Sequence, residues 1–140
     1  MNYNLINENN THLLKKFIKN EKSKSFRYYK KRDINVIENH ILTLILTNDN
    51  KEIIGYGHLD FEENVWLGIC ICKKFRGKGY GKKIMNYLLK YAKHNNIERI
   101  YLTVDKNNII AKKLYEKNGF IVEKVNKSFF KMVKYIELKY

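Results

Sequence analysis

The stretch Cys72-Lys73-Lys74-Phe75-Arg76-Gly77-Lys78-Gly79-Tyr80-Gly81-Lys82-Lys83 carries three of the chain's seven glycines, at every second position. An apolar run, Val65 to Cys72, precedes it, and a helical pattern (Ile84, Leu88, Leu89, Ala92) follows it. Strand, glycine-rich turn and helix in that order expose backbone N–H groups at a helix N-terminus, which attracts anions and phosphates above all. The glycines permit positive φ and a close approach of ligand to backbone. Arg76, Lys78, Lys82 and Lys83 add positive charge. The stretch reads as a pyrophosphate cradle.

Glycine spacing narrows what the cradle holds. A dinucleotide fold wants Gly-x-Gly-x-x-Gly directly after its strand. Here the spacing is Gly-x-Gly-x-Gly, set back from Cys72, and the strands before it read as antiparallel hairpins. Asp105, after the next strand, is a weak counterpart of the ribose-binding acid. A P-loop needs four residues between its glycines and then Lys-Ser/Thr; Gly77 to Gly81-Lys82-Lys83 supplies neither.

Outward from the loop, the pattern alternates strands and helices. Residues 2–7 suggest a first strand, and Thr11 is the expected N-cap of a helix carrying Leu13, Leu14, Phe17 and Ile18. Residues 21–39 hold the basic aromatic cluster Phe26-Arg27-Tyr28-Tyr29-Lys30-Lys31-Arg32 in a helix or loop. Strands follow at His40 to Thr47, Ile53 to Phe61 and Val65 to Cys72, separated by Asn48-Asp49-Asn50 and Glu62-Glu63-Asn64. The helix after the loop runs to about His94, where Asn95-Asn96 ends it. Arg99 to Val104 is a strand, Asn107 or Asn108 caps a helix through Lys117, and Asn118-Gly119 stops it. Strands from Phe120 to Val125 and Phe129 to Leu138 close the chain. With no repeat and no linker, residues 1–140 read as a single α+β domain around a mixed sheet.

Composition agrees with one folded core. The chain has 140 residues, 44% hydrophobic and 14% aromatic, which excludes disorder. Its net charge of +14 has two readings, a lysine-rich compositional bias on solvated faces or an anionic partner. The lysines are scattered, which favours the first, and no aromatic-rich RNA motif accompanies them, so nucleic acid is not the expected partner. Cys70 and Cys72, two apart on a strand, have poor geometry for a mutual disulfide and lack the companions of a zinc site. No metal is expected. No apolar run of about 18 residues or signal-like leader is present, so a cytoplasmic, membrane-free protein is expected.

Arg76-x-x-Gly79-x-Gly81 resembles the Arg/Gln-x-x-Gly-x-Gly/Ala signature of the GCN5-related N-acetyltransferase (GNAT) superfamily. A second block is similar to that family's later strand–helix–strand segment: Leu102-x-Val104-x-x-x-Asn108-x-x-Ala111-x-x-Leu114-Tyr115-Glu116-Lys117-x-Gly119-Phe120. Together they span roughly residues 52–123. The resemblance implies a three-layer α+β fold, with a mostly antiparallel central sheet flanked by helices and splayed between strands 65–72 and 99–104. It implies acetyl-CoA as cosubstrate. The pantetheine arm would pair with the backbone of Ile69, Cys70 and Ile71, and the pyrophosphate would meet Arg76, Gly77, Lys78, Gly79, Tyr80, Gly81 and Lys82. Asn108 matches a CoA-contacting position and is equally an N-cap. Tyr115 matches the general acid, and the N–H near Ile71 is an oxyanion donor by the same resemblance.

The implied activity is acetyl transfer to a primary amine by direct attack in a ternary complex. The alternative is an acyl-CoA sensor without catalysis. Both positions where family members carry a basic carboxylate lack an acid here, the start of strand 65–72 and Thr103 on the next. The strand from Ile53 to Phe61 offers a substitute. Ile54, Tyr56, His58 and Asp60 fall on one face by strand alternation. His58 is either the base or a structural histidine, and Asp60 either orients it or binds a cationic acceptor. Arg27, Tyr28, Tyr56, Asp60 and Trp66 are the expected acceptor-binding residues; alternatively the basic cluster is a solvated helix with its aromatics on the core. The acceptor is a small-molecule amine or amino sugar in preference to a protein amine, and the chain a monomer or homodimer.

Overall fold

The computed structural model describes residues 1–21 and 26–137. Residues 22–25 of the basic aromatic segment, and Leu138 at the expected end of the last strand, lie outside the described residues. Seven strands form one sheet: β1 (Asn2–Leu5), β2 (His40–Thr47), β3 (Ile53–Glu62), β4 (Asn64–Ile71), β5 (Arg99–Asp105), β6 (Ile121–Val125) and β7 (Phe129–Tyr135). Their order is β1-β2-β3-β4-β5-β7-β6, and every neighbouring pair is antiparallel except β4–β5. The helices are α1 (Thr11–Asn20), α2 (Tyr80–His94) and α3 (Ile109–Lys117). Among the described residues, no helix is long and apolar enough to cross a membrane.

Two apolar clusters sandwich the sheet. On one side α2 buries Ile84, Met85, Leu88 and Ala92 against Leu44, Leu46, Leu59 and Leu102, with Tyr115 of α3 joining them. Each large aliphatic side chain fully buried there contributes roughly 1.5–3 kcal/mol. On the other side α1 buries Leu14 and Phe17 against Ile45, Ile53, Tyr56 and Cys70. A strap of two 3₁₀ turns, Tyr28–Lys30 and Ile34–Asn39, continues from that side into β2.

Several local expectations change. Asn10, not Thr11, is the N-cap of α1. The Asn10 side chain does not cap the helix, because its Oδ1 accepts from the Asn7 N–H at 2.8 Å and its Nδ2 donates to the Leu5 carbonyl at 2.9 Å. The described part of segment 21–39, expected as helix or loop, forms two 3₁₀ turns in otherwise irregular chain. Ile54 does not share a face with Tyr56, His58 and Asp60. The β2–β3 register slips between Leu46 and Thr47, so Ile54 turns to the α2 side while Ile53 takes the α1 side with Tyr56; a bulge inserts one residue and breaks the alternation.

Candidate active site

β4 and β5 are parallel and register at one position, Trp66 opposite Tyr101, whose rings lie 5.4 Å apart. Each strand is held from its other side, β4 by β3 from Glu62↔Asn64 to Gly55↔Ile71 and β5 by β7 from Arg99↔Tyr135 to Asp105↔Phe129. The two half-sheets therefore part beyond Trp66. The splay expected between these strands is present, and Ile69, Cys70 and Ile71 border it on β4.

The glycine loop follows β4 at the end beyond the Trp66–Tyr101 pair. After the 3₁₀ turn Lys73–Phe75 the chain passes Gly77 at φ 75° and Gly79 at φ 84°, and Gly79 is the N-cap of α2. A glycine has no capping side chain, so the amides of Tyr80, Gly81 and Lys82 keep the unmet donor capacity of a first turn. A Cβ at Gly77 or Gly79 would meet nothing within 4 Å, so both face open space. Gly81 is different. It lies inside the helix, where a Cβ would come within 3.2 Å of Leu114 Cδ2, a tight contact with α3 that a small shift of that side chain would relieve. The Arg76 side chain turns back on the loop: Nε donates to the Ile71 carbonyl at 2.8 Å, and Nη2 lies 3.6 Å from the Glu21 carboxylate. Lys78 and Lys82 are exposed cations beside the free amides.

α3 faces the same splay. Asn108 caps it, accepting the Ala111 N–H on Oδ1 at 3.3 Å. Tyr115 is 7% exposed and packs edge-on against Phe120. Burial pushes its phenol above the ordinary value, and the Cys70 thiol across the splay adds a smaller push. Its hydroxyl has no hydrogen-bond partner among the described residues. Cys72, at the loop's start, is pushed up to about 11 by burial and then by Glu21. A cavity of about 750 Å³ opens on the α1 side beneath the loop, walled by Phe17, Glu21, Ile53, Cys72 and Lys74. It lies at the end of β3 remote from Asp60.

The other candidates gather on the α1 face of β3. Tyr29 Oη lies 2.6 Å from Tyr56 Oη, which lies 2.5 Å from His58 Nδ1; His58 Nε2 faces Asp60 Oδ2 at 3.6 Å. One proton assignment satisfies the chain: Tyr29 donates to Tyr56, Tyr56 donates to His58 Nδ1, and Nε2 keeps its hydrogen toward Asp60. Burial, then His40 and Arg32, hold the His58 imidazole well below its usual range. Its lone pair is engaged and it is 2% exposed. Asp60 is 4% exposed and pushed up to about 6, with burial outweighing the opposing influence of Tyr28 and Arg32. Its Oδ1 is buried without a hydrogen-bond partner.

Sequence reasoning missed His40, and named Tyr29 and Arg32 only as members of the basic aromatic cluster expected near the acceptor. His40 bonds the Tyr28 hydroxyl through Nε2 and Thr43 Oγ1 through Nδ1, each at 2.7 Å, and its ring lies 4.7 Å from His58. The Arg32 guanidinium lies over the Tyr28 ring at 4.3 Å. The signal for His40 was the hairpin register, which sets it opposite Asp60. Trp66 stands opposite Asp60 on β4 and so shares its face. Arg27 stands apart from these groups, paired at 2.7 Å with Asp105 at the end of β5.

The profile of the Acetyltransferase (GNAT) family matches residues 6–120. Over 58 residues, 40% of this chain and 38% of the relative, the sequence is 41% identical to the spermine/spermidine N(1)-acetyltransferase of Bacillus subtilis (strain 168). The stretches matched in curated relatives make up from 20% to 57% of those proteins' lengths. The fold superposes on the crystal structure of a GNAT-family acetyltransferase from Streptococcus pneumoniae with a TM-score of 0.81 at 18% identity, covering 97% of this chain and 99% of that one. It also superposes on yncA, a putative acetyltransferase from Salmonella typhimurium solved with its cofactor acetyl-CoA. There the TM-score is 0.78 at 13% identity, covering 100% and 96% of the two chains. With the splayed sheet, the open loop and a family match that spans most of its length, this chain belongs to the GNAT acetyltransferase family.

Proposed function

We propose that this domain transfers an acetyl group from acetyl-CoA to a primary amine by direct attack in a ternary complex. One observation carries the reading: the splay brings Tyr115, a buried phenol with an unengaged hydroxyl, to Cys70 on the strand edge that leads to the uncapped start of α2. The residues fit acetyl-CoA, because β4 beyond Trp66 has no partner strand on the β5 side, with Arg76 reaching only the Ile71 carbonyl, and Gly77 and Gly79 leave the loop open.

In this reading Ile69, Cys70 and Ile71 take the pantetheine arm as an added strand. The amides of Gly77 to Lys82, with Lys78 and Lys82, hold the pyrophosphate, while Arg76 fixes the loop to Ile71. Asn108 keeps its Nδ2 for the cosubstrate while Oδ1 caps α3. The amine nitrogen attacks the thioester carbonyl carbon, the C–S bond breaks, and the departing thiolate takes the Tyr115 proton. A phenol held protonated by burial suits that step. The proton that the ammonium must lose before attack goes to the His58–Asp60 pair, where the Asp60 carboxylate, ionised above about pH 6, has the free acceptor atom. The amide proton of the collapsing adduct returns to the Tyr115 phenolate, which balances the cycle. Tyr28, Tyr56, Asp60 and Trp66 then line the acceptor side, and Arg27 ties the strap to β5. The acceptor is a small-molecule amine or amino sugar in preference to a protein amine, a choice supported by the polyamine-acetylating relative.

The test is CoA thiol release across a panel of amines, with Tyr115→Phe alongside. The expected result is turnover on at least one amine and a loss of about 10²–10⁴ in kcat for the variant at unchanged acetyl-CoA affinity. Tight acetyl-CoA binding with no turnover on any amine would instead identify a non-catalytic acyl-CoA-binding module.

A further inference from the structure

Asp60 Oδ1 is the one fully enclosed side-chain nitrogen or oxygen without a hydrogen bond among the described residues; the unbonded Tyr115 hydroxyl keeps some exposure. The group is on β3, 4% exposed, and His58 does not complete it, since Nε2 faces the other oxygen at 3.6 Å, beyond hydrogen-bond length. A buried carboxylate oxygen without a donor is costly, and the cost is relieved when a donor arrives with a compensating charge. The surroundings suit a cation. The Tyr28 and His40 rings lie tilted against His58 with centroids 4.4 and 4.7 Å away; His40 stands opposite Asp60 in the ladder and Tyr28 supports its carboxylate, so the neighbourhood is aromatic. Trp66 lies opposite Asp60 at the position where β4 and β5 begin to part, so the carboxylate is beside the closed end of the splay.

The charged and titratable groups around it come from every neighbouring element. The strap supplies Tyr28 and Arg32, β2 supplies His40, and β3 supplies His58 and Glu62. Arg32 is already engaged with the Tyr28 carbonyl at 3.2 Å and approaches Glu62 at 4.0 Å. The histidines are held neutral by burial. Burial outweighs Tyr28 and Arg32, which favour the ionised carboxylate, and no donor reaches Oδ1.

We infer that Asp60 Oδ1 receives the ammonium group of the acceptor, so that the substrate class is a cationic primary alkylamine rather than an anionic amino sugar. This rests on the acetyl-transfer reading for its biological meaning, but the docking is measurable without turnover. The chain has a single tryptophan, and Trp66 shares the face of Asp60, so its fluorescence reports occupancy. n-Butylammonium is titrated into the CoA-loaded protein, with n-butanol as the uncharged control of similar shape. The amine remains protonated at about pH 7.5.

The expected result is a saturable change with n-butylammonium alone, weakened at least about tenfold in Asp60→Asn. Wild-type affinity should also fall as pH drops through about 6, where the carboxylate protonates, and the variant's should not. Equal affinity in wild type and variant overturns the inference. If Asp60→Asn does not fold, the wild-type pH titration decides alone, and a flat profile overturns it. CoA release separates the two levels. Docking through Asp60 without turnover on any amine refutes acetyl transfer and leaves the docking site. Turnover with the same kcat/KM in Asp60→Asn refutes the docking site and leaves acetyl transfer.

Discussion

Replacing Gly68 by alanine puts a methyl group into the His58 ring. Gly68 stands opposite His58 in the β3–β4 ladder, and a Cβ there would lie 2.7 Å from Cε1, 2.8 Å from Nε2 and 3.2 Å from Nδ1. Carbon atoms in good contact sit about 3.5–4.0 Å apart, so the overlap is about an ångström. The ring has little freedom to retreat, because Nδ1 is bonded to Tyr56 and the Tyr28 and His40 rings pack near it. Overpacking of this kind costs about 1–3 kcal/mol, partly offset by the lower backbone entropy of alanine. For a chain of this size that corresponds to a fall in Tm of about 3–9 °C.

The assay is thermal unfolding by circular dichroism of wild type, Gly68→Ala, His58→Ala and the double variant. In the double variant the methyl enters space the imidazole has left, so the two losses should couple by at least about 1 kcal/mol. A Gly68→Ala protein melting within about 1 °C of wild type, or strictly additive losses in the double variant, would refute the packing of His58 over β4.

Stability should depend on pH through two opposed groups. Asp60 is raised to about 6 when folded, so its destabilising contribution grows as pH climbs from about 4 to about 6. Asp60→Asn should raise Tm at about pH 7 and leave it nearly unchanged at about pH 4; an equal shift at both would contradict the burial argument. His40 is lowered to about 4 by burial and then by Arg32, and His58 is lowered too. Their contribution is complete above about pH 6.5 and is lost as pH falls toward about 4, so His40→Gln should lessen the acid sensitivity seen by scanning fluorimetry. Gly79→Glu places a side chain in left-handed backbone and an anion in front of the free amides of α2. It should weaken acetyl-CoA at least about a hundredfold with the circular dichroism spectrum retained, and unchanged affinity in calorimetry would reject the cradle.

The local chain carried much of this. β2 spans His40–Thr47 because a β-branched apolar run ends at Asn48, whose Oδ1 accepts the Asn50 and Glu52 N–H groups in the turn. The start of α2, a cap at Asn107 or Asn108, which the structure resolves to Asn108, and the stop at Gly119, with φ 91°, were equally legible. Helical periodicity, caps and turn residues act within about four residues along the chain, so the sequence states them directly. Two sequence blocks in the right order were likewise enough to point to the family.

What the tertiary structure decided lies across the ladders. The β3 bulge that turns Ile54 away from Tyr56 depends on its pairing with β2. Gly81 lies in the first turn of α2 close to Leu114, not in the turn with Gly77 and Gly79, a distinction invisible in a run of alternating glycines. His58 lies over Gly68, and Asp60 Oδ1 is unbonded, because strands and strap from separate parts of the chain meet there. The sequence by itself determined the strands, the glycine loop and the cap and stop of α3, since each is a short-range property of neighbouring residues, while the start of α1 fell one residue earlier than expected. Only the tertiary structure determined which polar groups are compensated on burial, because that depends on register and on partners distant in sequence.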